Sequence, residues 1–416
     1  MNIYVFGLGH VGLPLACWIA QGGKHVFGID TDPQVIHDIN NGEIAMEEYY
    51  HDIPIKTLAK TLIEEGKLSI SNQIKRCAAE KATFLISVGL ADRPDGSKDL
   101  SPILSVIDDI GHVLVPGDLI ILRSTVPPGT CAGIIEPKLC EFNVPFHLAY
   151  CPETIAETQA FEELENNPLI LGAISEESYK AAEVFLNSLS ENKIYKAPDT
   201  STAEMAKVVQ NLYRDVNIAF ANEVCDVAEH LQIDRNELRK LVNVNSRVNM
   251  HSCGPGVGGY CLPNALSYLK SALEKPDPFL ELSQLAREFN ANRPKKIARQ
   301  VAESLEALEK KVSDSTVAVL GLAMKSFCAD IRFSPALDMI RELQDFGANV
   351  KAYDPMVPPT FPFQAASFEE CIRDSDCLVI AVNQKGFEFN PDKISSLMAP
   401  TAIMIDTQNI LTEEAR

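Results

Sequence analysis

Positive charge is scarce in this chain. Thirty-seven Lys and Arg stand against 57 Asp and Glu over 416 residues, a net charge of −20. That balance argues against a nucleic-acid surface and against anionic membranes as partners. It also means that an anionic ligand needs local help from helix N-termini, backbone amides or a few placed cations. No apolar run approaches the roughly 20 residues of a membrane span, and there is no low-complexity segment. None of the eleven cysteines pairs with another at Cys-x-x-Cys spacing, so the common metal and redox motifs are missing and no metal is expected. Their odd number and scatter read as reduced thiols in the cytoplasm. The first residues, Met1 to Val5, run straight into a strand without the layout of a secretory signal.

What is present is ordinary for a globular enzyme: 46% hydrophobic and 23% charged residues, in a chain long enough for two or three cores. An apolar run, Ile3 to Phe6, ends in Gly7-Leu8-Gly9-His10-Val11-Gly12. A helical stretch comes next over Leu13 to Ala20, then a strand over His25 to Ile29, then Asp30. In such a loop Gly7 permits the tight turn, Gly9 lets a pyrophosphate approach the backbone, and Gly12 lets helix and strand pack closely. Asp30 lies at the spacing of a carboxylate that accepts from a ribose diol and repels a 2′-phosphate. Gly7, Gly9, His10, Val11, Gly12 and Asp30 are therefore expected to bind NAD rather than NADP.

Further strands are expected at Ala82 to Val88, Leu119 to Leu122, Phe146 to Tyr150 and Leu169 to Gly172, which implies a mostly parallel sheet. Ser201-Thr202-Ala203-Glu204 reads as a capping box opening a long helix that persists to about Leu231. Helical texture continues to about Asn292, interrupted by a loop around Cys261. From Thr316 the strand and glycine-turn pattern returns in degenerate form. Asn349 to Tyr353, ending in Asp354, echoes Val26 to Asp30. The expected fold is α/β: two Rossmann-like doubly wound domains, 1–197 and 297–416, joined by a central helical domain, 198–296, with a long helix.

Four features carry chemistry. Ser124-Thr125-Val126-Pro127-Pro128-Gly129-Thr130 comes after a strand, where ligands bind in such sheets; Thr125 is placed to order a water or touch the cofactor. The other reading is an ordinary Pro-Gly turn. Lys207 and Asn211 share a helix face, and a lysine beside a reacting oxygen stabilises negative charge. Glu153 and Glu157, also four apart, come after a strand, and a carboxylate there suits a general base. Taken alone, Lys207 and Asn211 read first as a solvated face, and Glu153 and Glu157 first as a capping or surface pair. Cys261 comes after Gly254, Gly256, Gly258 and Gly259; a thiol is useful to a nicotinamide enzyme when an aldehyde must go on to an acid. A lone cysteine is otherwise a small buried hydrophobe. The glycines favour a backbone that approaches a ligand closely.

Together these segments resemble the UDP-glucose/GDP-mannose dehydrogenase family over nearly the whole chain. The segments that carry the likeness are Gly7 to Leu13, Ser124 to Thr130, Ala203 to Arg214, Arg247 to Pro263, Gly321 to Lys325, Asp330 to Ala336 and Tyr353 to Pro355. The Arg247 to Gly259 run looks most like the branch that oxidises UDP-N-acetylhexosamines.

The resemblance implies oxidation of a nucleotide-sugar C6 alcohol to the uronic acid, with two NAD and no metal. It implies Cys261 as thiol, Lys207 as oxyanion stabiliser, Asn211 as substrate or water ligand, and Glu153 and Glu157 near the hydrolysis step. Ser124 and Thr125 fall beside the nicotinamide. Gly258, Lys325 and Arg332 fall near substrate and cofactor, and Arg247 reaches a neighbouring subunit's sugar site. The same likeness implies a homodimer or larger assembly built on the central helix.

The chain departs from the family pattern at several positions. Ala265 stands where an aspartate usually follows the thiol, Tyr260 where a histidine precedes it, and Thr158 where a glycine is expected. Val88 to Ala91 replaces a Val-Pro-Thr-Pro loop, Phe333 replaces a glutamate and Gln408 an arginine. These departures open two other readings: a member performing a single two-electron oxidation or using another nucleotide sugar, and a non-catalytic nucleotide-binding homologue.

Overall fold

The structure is a computed structural model that describes residues 2–76, 80–273 and 279–411. The chain divides into two compact units, Met1–Gln210 with Ser267–Pro276, and Asn211–Leu266 with Asp277–Arg416.

The first unit is built on an eight-stranded sheet. Its strands are β1 (Asn2–Phe6), β2 (Val26–Ile29), β5 (Leu68–Ser71), β6 (Ala82–Ile86), β7 (Asp118–Leu122), β8 (Phe146–Tyr150), β9 (Leu169–Ala173) and β10 (Ile194–Lys196). A small hairpin of β3 (Tyr49–Tyr50) and β4 (Ile53–Pro54) stands apart. The order is β10-β9-β8-β7-β6-β1-β2-β5, and every pairing is parallel except β8 with β9. Parallel strands covered on both faces must be apolar throughout, and β6 and β7 are buried at every residue. Alternate side chains divide between the faces. Ile3 and Val5 join Leu85, Leu119, Ile121 and Phe185 in one cluster, while Tyr4 points the other way and stacks on Phe84 and Phe27. The strand order turns back at β1, between β2 and β6. That is the switch point where such sheets bind ligands, and the glycine loop emerges there.

The second unit holds a parallel four-stranded sheet of β11 (Thr316–Leu320), β12 (Asn349–Tyr353), β13 (Cys377–Ile380) and β14 (Ile403–Asp406), in the order β12-β11-β13-β14. Val317 and Val319 pack beneath the helix Glu281–Glu306, while Ala318 and Leu320 face Phe368 and Ile372 on the other side. The helix Glu281–Glu306 continues through residues 296 and 297 with Pro294 inside it. The long helix expected from Ser201 runs Thr200–His230. Among the described residues, no helix is long and apolar enough to cross a membrane.

Candidate active site

The glycine loop has the geometry that its spacing implies. Gly7 sits at φ +81° and donates its N–H to Ile29 O at 2.9 Å, closing the turn against β2. A Cβ on Gly12 would lie 1.7 Å from Gly7 O, so the helix Gly12–Gln21 starts in contact with the turn. Around Gly9 no atom lies within 4 Å of the Cβ position, which leaves that stretch of backbone open. Asp30 is pinned at the end of β2: its Oδ2 accepts from Leu8 N at 2.7 Å and its Oδ1 from Asp32 N at 2.9 Å. Each carboxylate oxygen keeps capacity for a further donor. An open glycine, a helix N-terminus and an oriented carboxylate fit a dinucleotide.

The loop after β7 is organised from beneath. Ser124 is buried and donates its hydroxyl to Ile86 O at 3.3 Å, and Thr125 is half-buried next to it. Glu204 is fully buried and accepts from Gly129 N at 2.5 Å and Cys131 N at 2.8 Å. This corrects the capping-box reading. The helix is capped by Asp199, whose Oδ1 accepts from Thr202 N at 2.7 Å, and Glu204 binds a loop some 75 residues upstream. Burial raises the Glu204 carboxyl above its ordinary value, while the backbone N–H groups pull it down.

Three residues after Glu204, Lys207 places Nζ 3.6 Å from Glu153 Oε1, with both side chains nearly buried. The other oxygen of Glu153 accepts from Ile155 N at 2.9 Å. Glu157 is four residues away, but 151–156 has no helix to put the two on one face. Instead Glu157 lies 3.7 Å from His10 Nδ1 in the glycine loop. The two glutamates thus serve different partners.

Thr158 adopts φ +73°, a left-handed conformation rare for a β-branched residue; this accounts for the glycine that the family pattern leads one to expect. Its N–H donates to Glu48 Oε1 at 2.5 Å, and Ala160 N donates to Glu48 Oε2 at 3.1 Å. Sequence reasoning missed Glu48, which has no motif and binds a segment 110 residues away.

In the second unit, Cys261 is the first residue of the helix Cys261–Ala272 and is exposed. Of the ten described cysteines, only Cys140 and Cys261 are exposed, so the buried-hydrophobe reading of Cys261 fails. Two of the glycines before it are packed tightly against protein. A Cβ on Gly258 would lie 2.6 Å from Phe333 O, and one on Gly259 2.4 Å from Met324 Sδ. Gly259 N donates to Arg332 O at 2.9 Å. The close approach that demands glycine here is that of the loop between β11 and the helix Pro335–Asp345.

On that loop, Arg332 is held by Asp330, with Nε donating to Oδ2 at 2.7 Å, and Lys325 is exposed. Arg247 is exposed on the turn after the helix Arg235–Val242, its N–H donating to Asn245 Oδ1 at 3.1 Å. Asn211 is buried one turn beyond Lys207, and Ala265 is buried one turn beyond Cys261.

Three family profiles match in order along the chain. They are the NAD binding domain of the UDP-glucose/GDP-mannose dehydrogenase family over residues 1–190, its central domain over 201–292 and its UDP binding domain over 318–413. The chain is 33% identical to UDP-N-acetyl-D-mannosamine dehydrogenase of Methanococcus maripaludis strain C7, over 99% of this chain and 93% of that protein. Among solved structures, UDP-D-ManNAc dehydrogenase from Pyrococcus horikoshii superposes with a TM-score of 0.89 at 33% identity, covering 99% of this chain and 96% of that one. The UDP-N-acetyl-mannosamine dehydrogenase Cap5O from Staphylococcus aureus gives 0.82 at 28%, covering 99% of each.

Proposed function

The chain belongs to the UDP-glucose/GDP-mannose dehydrogenase family, and from that premise we propose that it oxidises the C6 alcohol of a nucleotide sugar to the uronic acid. The names of its relatives make UDP-N-acetyl-D-mannosamine the first substrate to test. Gly7 to Gly12 and Asp30 would hold NAD, which would supply the hydride acceptor for each of two oxidations. The chain's own residues do the rest. In each oxidation the hydroxyl proton passes to water, Lys207 steadies the negative charge left on the C6 oxygen, and Asn211 orders that oxygen or a water. The Cys261 thiol adds to the aldehyde carbon, the thiol proton going to the carbonyl oxygen, to give a thiohemiacetal. After the second oxidation the acyl group is a thioester. Glu153 takes a proton from a water that attacks it, the C–S bond breaks, and acid and thiol are released.

The observation that carries this reading is the exposure of Cys261 at a helix start, where all but one of the other described cysteines are buried. Cys261→Ser is expected to lower uronate production at least a thousandfold, read by product mass. Uronate formed at the unaltered rate would overturn the assignment.

One observation favours a second reading. Ala265 leaves no carboxylate one turn after the thiol, which points to a single two-electron oxidation. Two NADH per sugar support the acid, and one supports the alternative.

Met205, Val209, Tyr213, Phe220 and Val227 are exposed on the long helix. At 100° per residue they fall within about 80° of one another, and this stripe supports a homodimer. We place the protein in the cytoplasm, which suits its scattered thiols. We assign the dinucleotide to residues 1–197, the dimer face to 198–296 and the sugar nucleotide to 297–416.

A further inference from the structure

Arg123 ends the run that begins at Asp118, directly before Ser124 and Thr125. By the period of two it points with Leu119 and Ile121 into the apolar cluster of Leu85, Leu164 and Phe185. It is 4% exposed. Its Nε has no hydrogen-bond partner, and the bond it does make, from Nη1, goes to Cys151 Sγ at 3.8 Å. Arg123 forms no ion pair among the described residues. Other arginines with buried side chains do: Arg76 bonds both oxygens of Asp118, at 2.5 and 2.8 Å, and Arg293 pairs with Asp226. Cys151 does not balance the charge, because burial pushes its thiol up against the pull of Arg123. A guanidinium buried in a hydrocarbon cluster without a counter-charge is costly.

The space beside it indicates what supplies that charge. Arg123 lines a cavity of about 20 Å³ in the first unit, together with Trp18, Leu85, Phe185, Ser190 and Asn192. Ser190 Oγ accepts from Asn192 N at 3.4 Å, which leaves the hydroxyl hydrogen to donate elsewhere. The volume admits a water or a small anion. A water there would bring no charge.

We propose that this cavity is a binding site for a single chloride-sized inorganic anion, held by the Arg123 guanidinium. The anion neutralises the end of β7 and so steadies the adjoining Ser124-Thr125 loop.

The chain's one tryptophan is Trp18, on the wall of the same cavity, so a heavy halide there quenches its emission directly. The test titrates the full-length protein with sodium bromide, with sodium gluconate holding ionic strength constant. The expected result is a saturable quenching component that added chloride reverses. Arg123→Met is expected to keep only the linear, collisional part. Crystals soaked in bromide are expected to show an anomalous peak beside the guanidinium.

Linear quenching of the unaltered protein that chloride does not reverse, with a water in the cavity, overturns the proposal. A bromide peak without saturable quenching also overturns it, as an adventitious ion only. Should Arg123→Met fail to fold, chloride reversal on the unaltered protein decides the matter.

Discussion

The chain builds the same glycine turn twice, and the two copies diverge in what they leave free. Gly7 and Gly321 have φ of +81° and +90°, and each donates to the last carbonyl of the neighbouring strand at 2.9 Å. In each, the next leucine donates its N–H to an aspartate Oδ2 at 2.7 Å: Leu8 to Asp30 and Leu322 to Asp354. After that they part. The first turn reaches a helix at Gly12, past an open Gly9, and Asp30 is only half-buried. The second continues as a loop to Pro335. Its Asp354 is buried and also accepts from Ala323 N at 3.2 Å, Met356 N at 2.9 Å and Gln384 Nε2 at 3.0 Å. One copy leaves its carboxylate half-exposed with two donors from its own chain, and the other buries its carboxylate among four. A strand, glycine and acid therefore announce a turn; whether it cradles a dinucleotide depends on how soon a helix begins after the turn and on which donors reach the acid.

The comparison can be broken most severely at Gly12. Gly12→Val forces a side chain into Gly7 O and is expected to raise the NAD dissociation constant more than a hundredfold, by calorimetry. A variant that binds NAD normally would show that the first turn is not the cradle. The two aspartates should respond oppositely. Asp354→Ala strands several buried N–H donors and is expected to cost on the order of 3 kcal/mol in denaturant unfolding of the second unit, with NAD affinity little changed. Asp30→Ala is expected to leave unfolding nearly untouched, to weaken NAD about tenfold and to narrow its preference over NADP. Equal effects of the two on both readouts would erase the distinction.

The smallest expected effect concerns Glu204, a third carboxylate that gathers the N–H groups of a loop. Its carboxyl is raised in the folded state, so folding favours its protonated form. That contribution is complete below the unfolded value and is lost as pH rises through the folded one. The stability advantage of the unaltered protein over Glu204→Gln is therefore expected to be larger at pH 4 than at pH 8, by parallel urea melts. An advantage that grows with pH would refute the sign.

Much of this architecture is legible in the sequence. The strands at Phe146–Tyr150 and Asn349–Tyr353 and the helix ending near Leu231 lie where apolar periodicity puts them. The short edge strands β5 and β10 escape such a reading, because runs of three or four half-exposed residues carry little period. The Glu204 error has a clear cause: a capping box is a local pattern, and the buried N–H groups of a distant loop compete for the same carboxylate. Of the glycines near Cys261, the spacing does not reveal that Gly258 and Gly259 pack against the distant Phe333 and Met324.

Short-range physics was thus enough, from sequence alone, to specify the alternation of strand and helix, the left-handed turn at Gly7, the acid after β2 and a thiol after a glycine run. These depend on residues within a few positions of one another. Only the tertiary structure decided that Glu48 holds Thr158, that Glu204 holds Gly129, that Glu153 and Glu157 separate, and that Arg123 is buried without a counter-charge. Each of these joins, or fails to join, residues far apart in the chain, and no spacing within a single sequence records which distant groups folding will bring together.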